Sequence, residues 1–175
     1  MSARYDQGPE ARRLFGDGVG RGTATRLLGS PAYQEKRGNV ATAPKRVLIV
    51  DDQPHVLGVL RELIASYKHE HPYEITTTQV VTDALSMLER ERFDLILLDM
   101  VMPGIGDPLL RRQGLDVLKL IVDRGVTAPV IMMSGDRDNR KVADALSQGA
   151  FAYLHKPFDL SELERSVSRA LASSG

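Results

Sequence analysis

Leu95-Ile96-Leu97-Leu98 is a run of four aliphatic residues closed by a carboxylate, Asp99, with Pro103 and Gly104 breaking the chain soon after. The run is too short for a core helix and shows no polar alternation, so it reads as a strand buried on both faces. Such a strand needs helices on either side, which confines the chain to a layered α/β fold. It also places Asp99 where the strand leaves the sheet, the edge at which open α/β sheets collect ligands and chemistry. A carboxylate there is costly to bury unless a cation or a hydrogen-bond donor meets it.

The chain around this run is regular from Lys45 onward. Arg46-Val47-Leu48-Ile49-Val50 reads as a strand ending at Asp51-Asp52. Pro54 suits the first turn of a helix carried by Val56, Leu57, Leu60, Leu63, Ile64 and Tyr67. Tyr73 to Gln79 is a second strand, and Val81, Ala84, Leu85 and Leu88 mark a second helix ending near Arg90. After the Asp99 strand comes a long link, Gly104 to Gln113, then a helix with Leu115, Val117, Leu118, Leu120 and Ile121. Ala128 to Met133 is the fourth strand, ending at Ser134-Gly135, and Val142, Ala145 and Leu146 mark the next helix, with Gly149 at its C-terminal cap. Phe151 to His155 is the fifth strand, ending at Lys156-Pro157. Asp159-Leu160-Ser161-Glu162 then resembles a capping box opening the helix of Leu160, Leu163, Val167 and Leu171. Strict alternation of this kind demands parallel strands and right-handed crossovers. The expectation is one doubly wound, five-stranded parallel α/β domain over residues 45–175, with helices on both faces.

Residues 1–44 differ. Gly recurs at 8, 16, 18, 20, 22, 29 and 38, and no helical or strand period is sustained, so a flexible, largely disordered arm is expected. The Gly16–Gly22 run lacks a preceding strand and a Gly-Lys-Ser/Thr end, so it is no phosphate loop. Arg12-Arg13-Leu14-Phe15 and Arg26-Leu27-Leu28 suit short docking helices. The arm holds 7 Lys/Arg against 4 Asp/Glu and the remainder 16 against 19, an asymmetry too small to argue for nucleic acid. Cysteine is absent, which excludes disulfides, thiolate metal sites and a Cys nucleophile. No apolar run approaches a membrane span and no signal-peptide core is present, so a cytoplasmic protein without membrane insertion is expected.

A parallel sheet brings all strand C-termini to one edge. Asp51 and Asp52, Asp99, Ser134 and Lys156 therefore face one crevice. Each alone suits a turn or a solvated rim; together, in register with four strand ends, they do not. Three carboxylates repel unless a cation arrives, and an all-oxygen set suits Mg²⁺. An acid nucleophile, a hard divalent ion, a hydroxyl and an ammonium are the parts of phosphoryl transfer.

Val47–Asp52, Leu95–Gly104, Ile131–Gly135 and Gly149–Phe158, in this order, resemble the receiver domain of two-component response regulators, over about residues 45–173, in the stand-alone form of the chemotaxis regulators. The resemblance implies a flavodoxin-like strand order 2-1-3-4-5. It implies that Asp99 is the phosphoacceptor, taking a phosphoryl group from a phosphohistidine of a histidine kinase or histidine phosphotransfer protein. Asp51, Asp52, Asp99 and the backbone carbonyl of Val101 would hold Mg²⁺, while Ser134 and Lys156 would bind the phosphoryl oxygens. Tyr153 would turn inward as Ser134 moves, and the Lys156–Pro157 bond would be cis. Val101 and Asp136 would tune attack of water on the acyl phosphate, slowly here because Val101 is apolar. A signalling protein follows rather than an enzyme, one that catalyses only its own phosphorylation and dephosphorylation.

With no domain after Gly175, output is expected through the helix 4–strand 5–helix 5 face (Arg137, Arg140, Lys141, Tyr153, Glu164, Ser168), through the arm, or through a further domain. A downstream protein or a phosphorylation-dependent homodimer is the expected partner, without direct nucleic-acid binding by the receiver. The link is longer than the resemblance leads one to expect over roughly Asp107 to Gln113, beside the phosphorylation site, so Arg111 and Arg112 suit a specificity lip. His55 and His155 read as rim residues, His69 and His71 as loop residues too solitary for a metal, and Met100 and Met102 as packing. A haloacid-dehalogenase-type phosphatase shares the Asp nucleophile, but its second acid would stand at Val101 and its further acids after the Lys. An inert scaffold would need a broken site, and flavin binding would need a phosphate-cradling loop.

Overall fold

The computed structural model describes residues 43–103 and 111–174. The expectations for the arm fall, up to residue 42, outside the described residues, as does the middle of the long link. The elements are β1 (Lys45–Val50), α1 (Pro54–Ser66), β2 (Tyr73–Thr78), α2 (Val81–Arg90), β3 (Leu95–Asp99), β4 (Val101–Pro103), β5 (Arg111–Gln113), α3 (Gly114–Asp123), β6 (Val130–Ser134), α4 (Asn139–Ser147), β7 (Ala152–His155) and α5 (Leu160–Ser173). Five strands form a parallel sheet in the order β2-β1-β3-β6-β7, the flavodoxin-like order expected.

Strand alternation sorts the core into two layers. Leu95 and Leu97 of β3 join Val47 and Ile49 under α1 (Leu57, Leu60, Ile64) and α5 (Leu163, Val167, Leu171). Ile96 and Leu98 join Leu48 and Val50 under α2 (Val81, Leu85), α3 (Val117, Leu118, Ile121) and Ala145 of α4. Leu95 to Leu98 are wholly buried. Each such side chain contributes about 1.5–3 kcal/mol by leaving water.

Local signals set the helix ends. Pro54 opens α1. Asp159 caps α5 by accepting from the Glu162 amide at 2.9 Å, and Asp138 caps α4 by accepting from Arg140 at 2.9 Å. Gly149 follows the end of α4 with φ +101°, the cap its position suggests.

The long link differs from expectation. Its flanks pair as an antiparallel ribbon, with Val101 opposite Gln113, Met102 opposite Arg112 and Pro103 opposite Arg111. Pairing satisfies backbone groups that a plain loop would leave to water. Beyond the ribbon, the Gly114 amide donates to the Met100 carbonyl at 2.5 Å. A Cβ on Gly114 would collide with the Asp99 carbonyl oxygen and lie 2.7 Å from the Met100 Cα. Both obstacles are backbone, so they cannot rotate away. Gly114→Ala is therefore expected to destabilise the domain by about 1–3 kcal/mol, measured by urea denaturation; a wild-type midpoint would show that the close approach carries no constraint.

Candidate functional site

The parallel register aligns the strand ends. Val50 lies opposite Leu98, Asp99 opposite Met133 and Ser134 opposite His155. Asp51, Asp99 and Ser134 are buried, and Asp52 is half-buried. Lys156 lies one residue past β7, after which the Lys156–Pro157 bond is cis as expected.

The structure brings these side chains together. Lys156 Nζ donates to Asp51 Oδ2 at 2.5 Å and to Asp99 Oδ1 at 2.6 Å. The second oxygen of each acid meets a backbone amide: Asp51 Oδ1 accepts from Gln53 at 3.0 Å and Asp99 Oδ2 from Val101 at 3.0 Å. Asp51, Asp52 and Asp99 each offer an oxygen within 4.8 Å of the others, the one group of three ligand-type residues among the described residues. At that separation two carboxylates repel by about 3–4 kcal/mol at an effective dielectric near 20. One ammonium cannot neutralise three acids. The remaining charge and the oxygen-only donors suit a hard divalent cation.

Titration behaviour follows. Burial pushes the Asp99 carboxyl above its ordinary range against the pull of Lys156, and Asp51 pushes the same way. Burial alone would lower Lys156, but its hydrogen bonds to Asp51 and Asp99 win and hold it above its ordinary value.

Ser134 Oγ accepts from the Asp136 amide at 3.0 Å. Asp136 is engaged by α4: Lys141 donates to its carboxylate at 2.5 Å and holds it below the usual carboxylate range. Tyr153 packs against the α2–α3–α4 layer with its hydroxyl buried and unpartnered. Val101 is 42% exposed at the mouth of the site, whereas Met100 and Met102 are buried as packing.

Three features escaped the sequence. Gly114 carries a close-approach constraint that no neighbouring side chain signals. His155, read as a rim residue, places Nδ1 3.1 Å from the Asp136 carbonyl. His69 and His71 join Tyr67 and Tyr73 in a ring cluster, where burial pushes both tyrosines up to about 12.

An acid whose folded pKa is raised holds its proton longer in the native state. Its ionisation therefore costs stability as pH rises from the ordinary 3.8 through the higher folded value. In chelator, Asp99→Asn is expected to melt a few degrees above the unaltered chain at pH 7. The gap closes as pH falls through that window. A lower melting temperature at pH 7 would show that Asp99 is net stabilising as a charge.

With this geometry in view, the comparisons with known proteins are specific. Residues 47–168 match the response regulator receiver domain family. The two-component response regulator ORR23 of Oryza sativa subsp. indica is 35% identical over 75% of this chain and 19% of its own length. The response regulator protein PilR of Pseudomonas aeruginosa is 34% identical over 73% of the chain and 26% of its own. The chain thus spans about a fifth to a quarter of these relatives. Among solved structures, the response regulator protein TrrA of Thermotoga maritima, in complex with Mg²⁺-BeF, is 30% identical, with TM-score 0.60 over 73% of this chain and 99% of that one. The chain belongs to the response regulator receiver domain family.

Proposed function

We propose that the chain is a phosphorylation-dependent signalling switch whose phosphoacceptor is Asp99. The observation that carries this reading is the bridge from Lys156 to Asp51 and Asp99 beside Asp52, which gathers a nucleophile, a cation site and an ammonium at one strand edge. An Asp99 carboxylate oxygen attacks the phosphorus of a phosphohistidine, supplied by a histidine kinase or histidine phosphotransfer protein. A P–O bond forms, the P–N bond breaks, and the electron pair returns to the imidazole nitrogen, which is then protonated. Asp51, Asp52, Asp99 and the Val101 carbonyl would hold Mg²⁺, which when bound neutralises charge on the transferring phosphoryl oxygens. Lys156 supplies a second positive charge and Ser134 Oγ a hydrogen-bond donor. The raised pKa of Lys156 keeps it cationic throughout the neutral range.

The acyl phosphate shifts a two-state equilibrium in which Ser134 moves toward the phosphoryl group and Tyr153 changes position. An unpartnered buried hydroxyl costs about 1–3 kcal/mol, so the Tyr153 position is not deeply held. The readout is the surface of α4, β7 and α5, including Arg137, Arg140, Lys141, Glu164 and Ser168, offered to a downstream protein or a second copy. The β4–β5 ribbon flanks Asp99, and a donor protein covering about 800 Å² would reach it; Arg111 and Arg112 there make it the lip that discriminates donors. No helix among the described residues is long and apolar enough to cross a membrane; a cytoplasmic site of action is part of this reading.

The test is phosphorylation by acetyl phosphate with Mg²⁺, read as alkali-labile, hydroxylamine-labile label on the chain. Labelling that requires Mg²⁺ and disappears in Asp99→Asn supports the reading, whereas equal labelling of that variant refutes it. Val101 offers no group to orient an attacking water, so the acyl phosphate is expected to be long-lived. Val101→Asn should shorten its half-life roughly tenfold, a change of about 1.4 kcal/mol in barrier; an unchanged half-life would exclude Val101 as the cause.

A further inference from the structure

Tyr153 and His155 alternate with Leu154 along β7, so their side chains share the face of the sheet opposite Leu154. Their rings meet edge to face at 5.3 Å between centroids. On its other side, His155 Nδ1 lies 3.1 Å from the Asp136 carbonyl oxygen. A carbonyl only accepts, so Nδ1 carries the proton and donates. Asp136 is tied in turn to Ser134, since its amide donates to Ser134 Oγ at 3.0 Å. The backbone brackets the same group: Ser134 stands opposite His155, and the Lys156 amide donates to the Ser134 carbonyl at 2.7 Å.

These contacts form one series: Ser134 hydroxyl, Asp136 backbone, His155 imidazole, Tyr153 ring. The far end is weakly held, because the Tyr153 hydroxyl is buried without a hydrogen-bond partner. An edge-to-face pair is worth about 0.5–1.5 kcal/mol beyond its buried area, enough to bias such a ring between positions. No other ring pair within the described residues involves Tyr153.

We propose that His155 is a positioning residue of the switch: it couples the loop after Ser134 to Tyr153 through its Nδ1–Asp136 hydrogen bond and its ring contact. When the loop moves toward an occupied Asp99, the Asp136 carbonyl carries the imidazole with it. The imidazole then changes the surface against which Tyr153 packs. The inference rests on the phosphorylation reading above but adds a residue and a route to it.

The test uses the full chain carrying 3-fluorotyrosine, with the Tyr153 resonance assigned by Tyr153→Phe and beryllofluoride with Mg²⁺ as the phosphoryl mimic. The ¹⁹F signal of bound beryllofluoride reports occupancy at Asp99 separately. His155→Asn keeps a donor near the Nδ1 position without the ring, His155→Phe keeps a ring without the donor, and His155→Ala keeps neither. A series link fails wherever it is cut. At beryllofluoride saturation all three variants are therefore expected to lose about half or more of the Tyr153 shift, to similar extents, because the two contacts are not independent. Support of the fold alone would change melting temperatures without this pattern. A full Tyr153 shift in His155→Ala overturns the inference, as do Asn and Phe losses that sum to the Ala loss. Failure of beryllofluoride to bind the unaltered chain would instead remove the phosphorylation reading, and this inference with it.

Discussion

Lys156 joins two buried carboxylates from strands that are far apart in sequence, and the rest of the site depends on that contact. Asp51 follows β1, Asp99 ends β3, and Lys156 follows β7. Without the ammonium, two acids would face each other in a place where water cannot screen them. With it, the site remains deficient in positive charge, because Asp52 adds a third carboxylate. The contact holds the acids in place yet leaves them able to accept a further cation. A strand-edge charge cluster that is held but unbalanced is a fitting chemical state for binding a hard divalent cation.

The fold supplies the precision. Leu95 to Leu98 are locked between two helical layers, so Asp99 leaves the sheet from a rigid base. The backbone of Gly114 lies close against that of Asp99 and Met100, and the Met100 carbonyl accepts its amide. The ribbon that carries the long link is thereby fixed at both ends beside the acid: Val101 donates to Asp99, and Gly114 closes on Met100. An insertion there is tolerated because its ends are paired and the residue that follows it, Gly114, is the one type that fits.

The sequence made the sheet legible because each buried strand is a short aliphatic run ended by a polar residue. Parallel topology then requires those polar residues to meet. Asp51, Asp52, Asp99, Ser134 and Lys156 were readable on that logic alone, and the structure gathers all five at one edge. The β4–β5 pairing was not readable, since three-residue strands carry no period. Nor was the role of Gly114, since a close backbone approach leaves no pattern in neighbouring side chains. The His155 contact was not readable for a related reason. Its partner is a main-chain carbonyl, and sequence does not reveal which loop carbonyl will turn toward an imidazole. Asp136 was named by resemblance, but its pairing with Lys141 depends on how α4 begins.

The strand-end acids form an unbalanced cluster that a divalent cation would complete. Thermal denaturation across a Mg²⁺ titration tests this most directly, with the unaltered chain beside Asp52→Asn. A ligand that binds only the folded state stabilises it as RT ln(1 + [L]/Kd). The melting temperature is expected to climb with Mg²⁺ in the unaltered chain and far less in Asp52→Asn. Melting temperatures independent of Mg²⁺, or rising equally in both proteins, would contradict it.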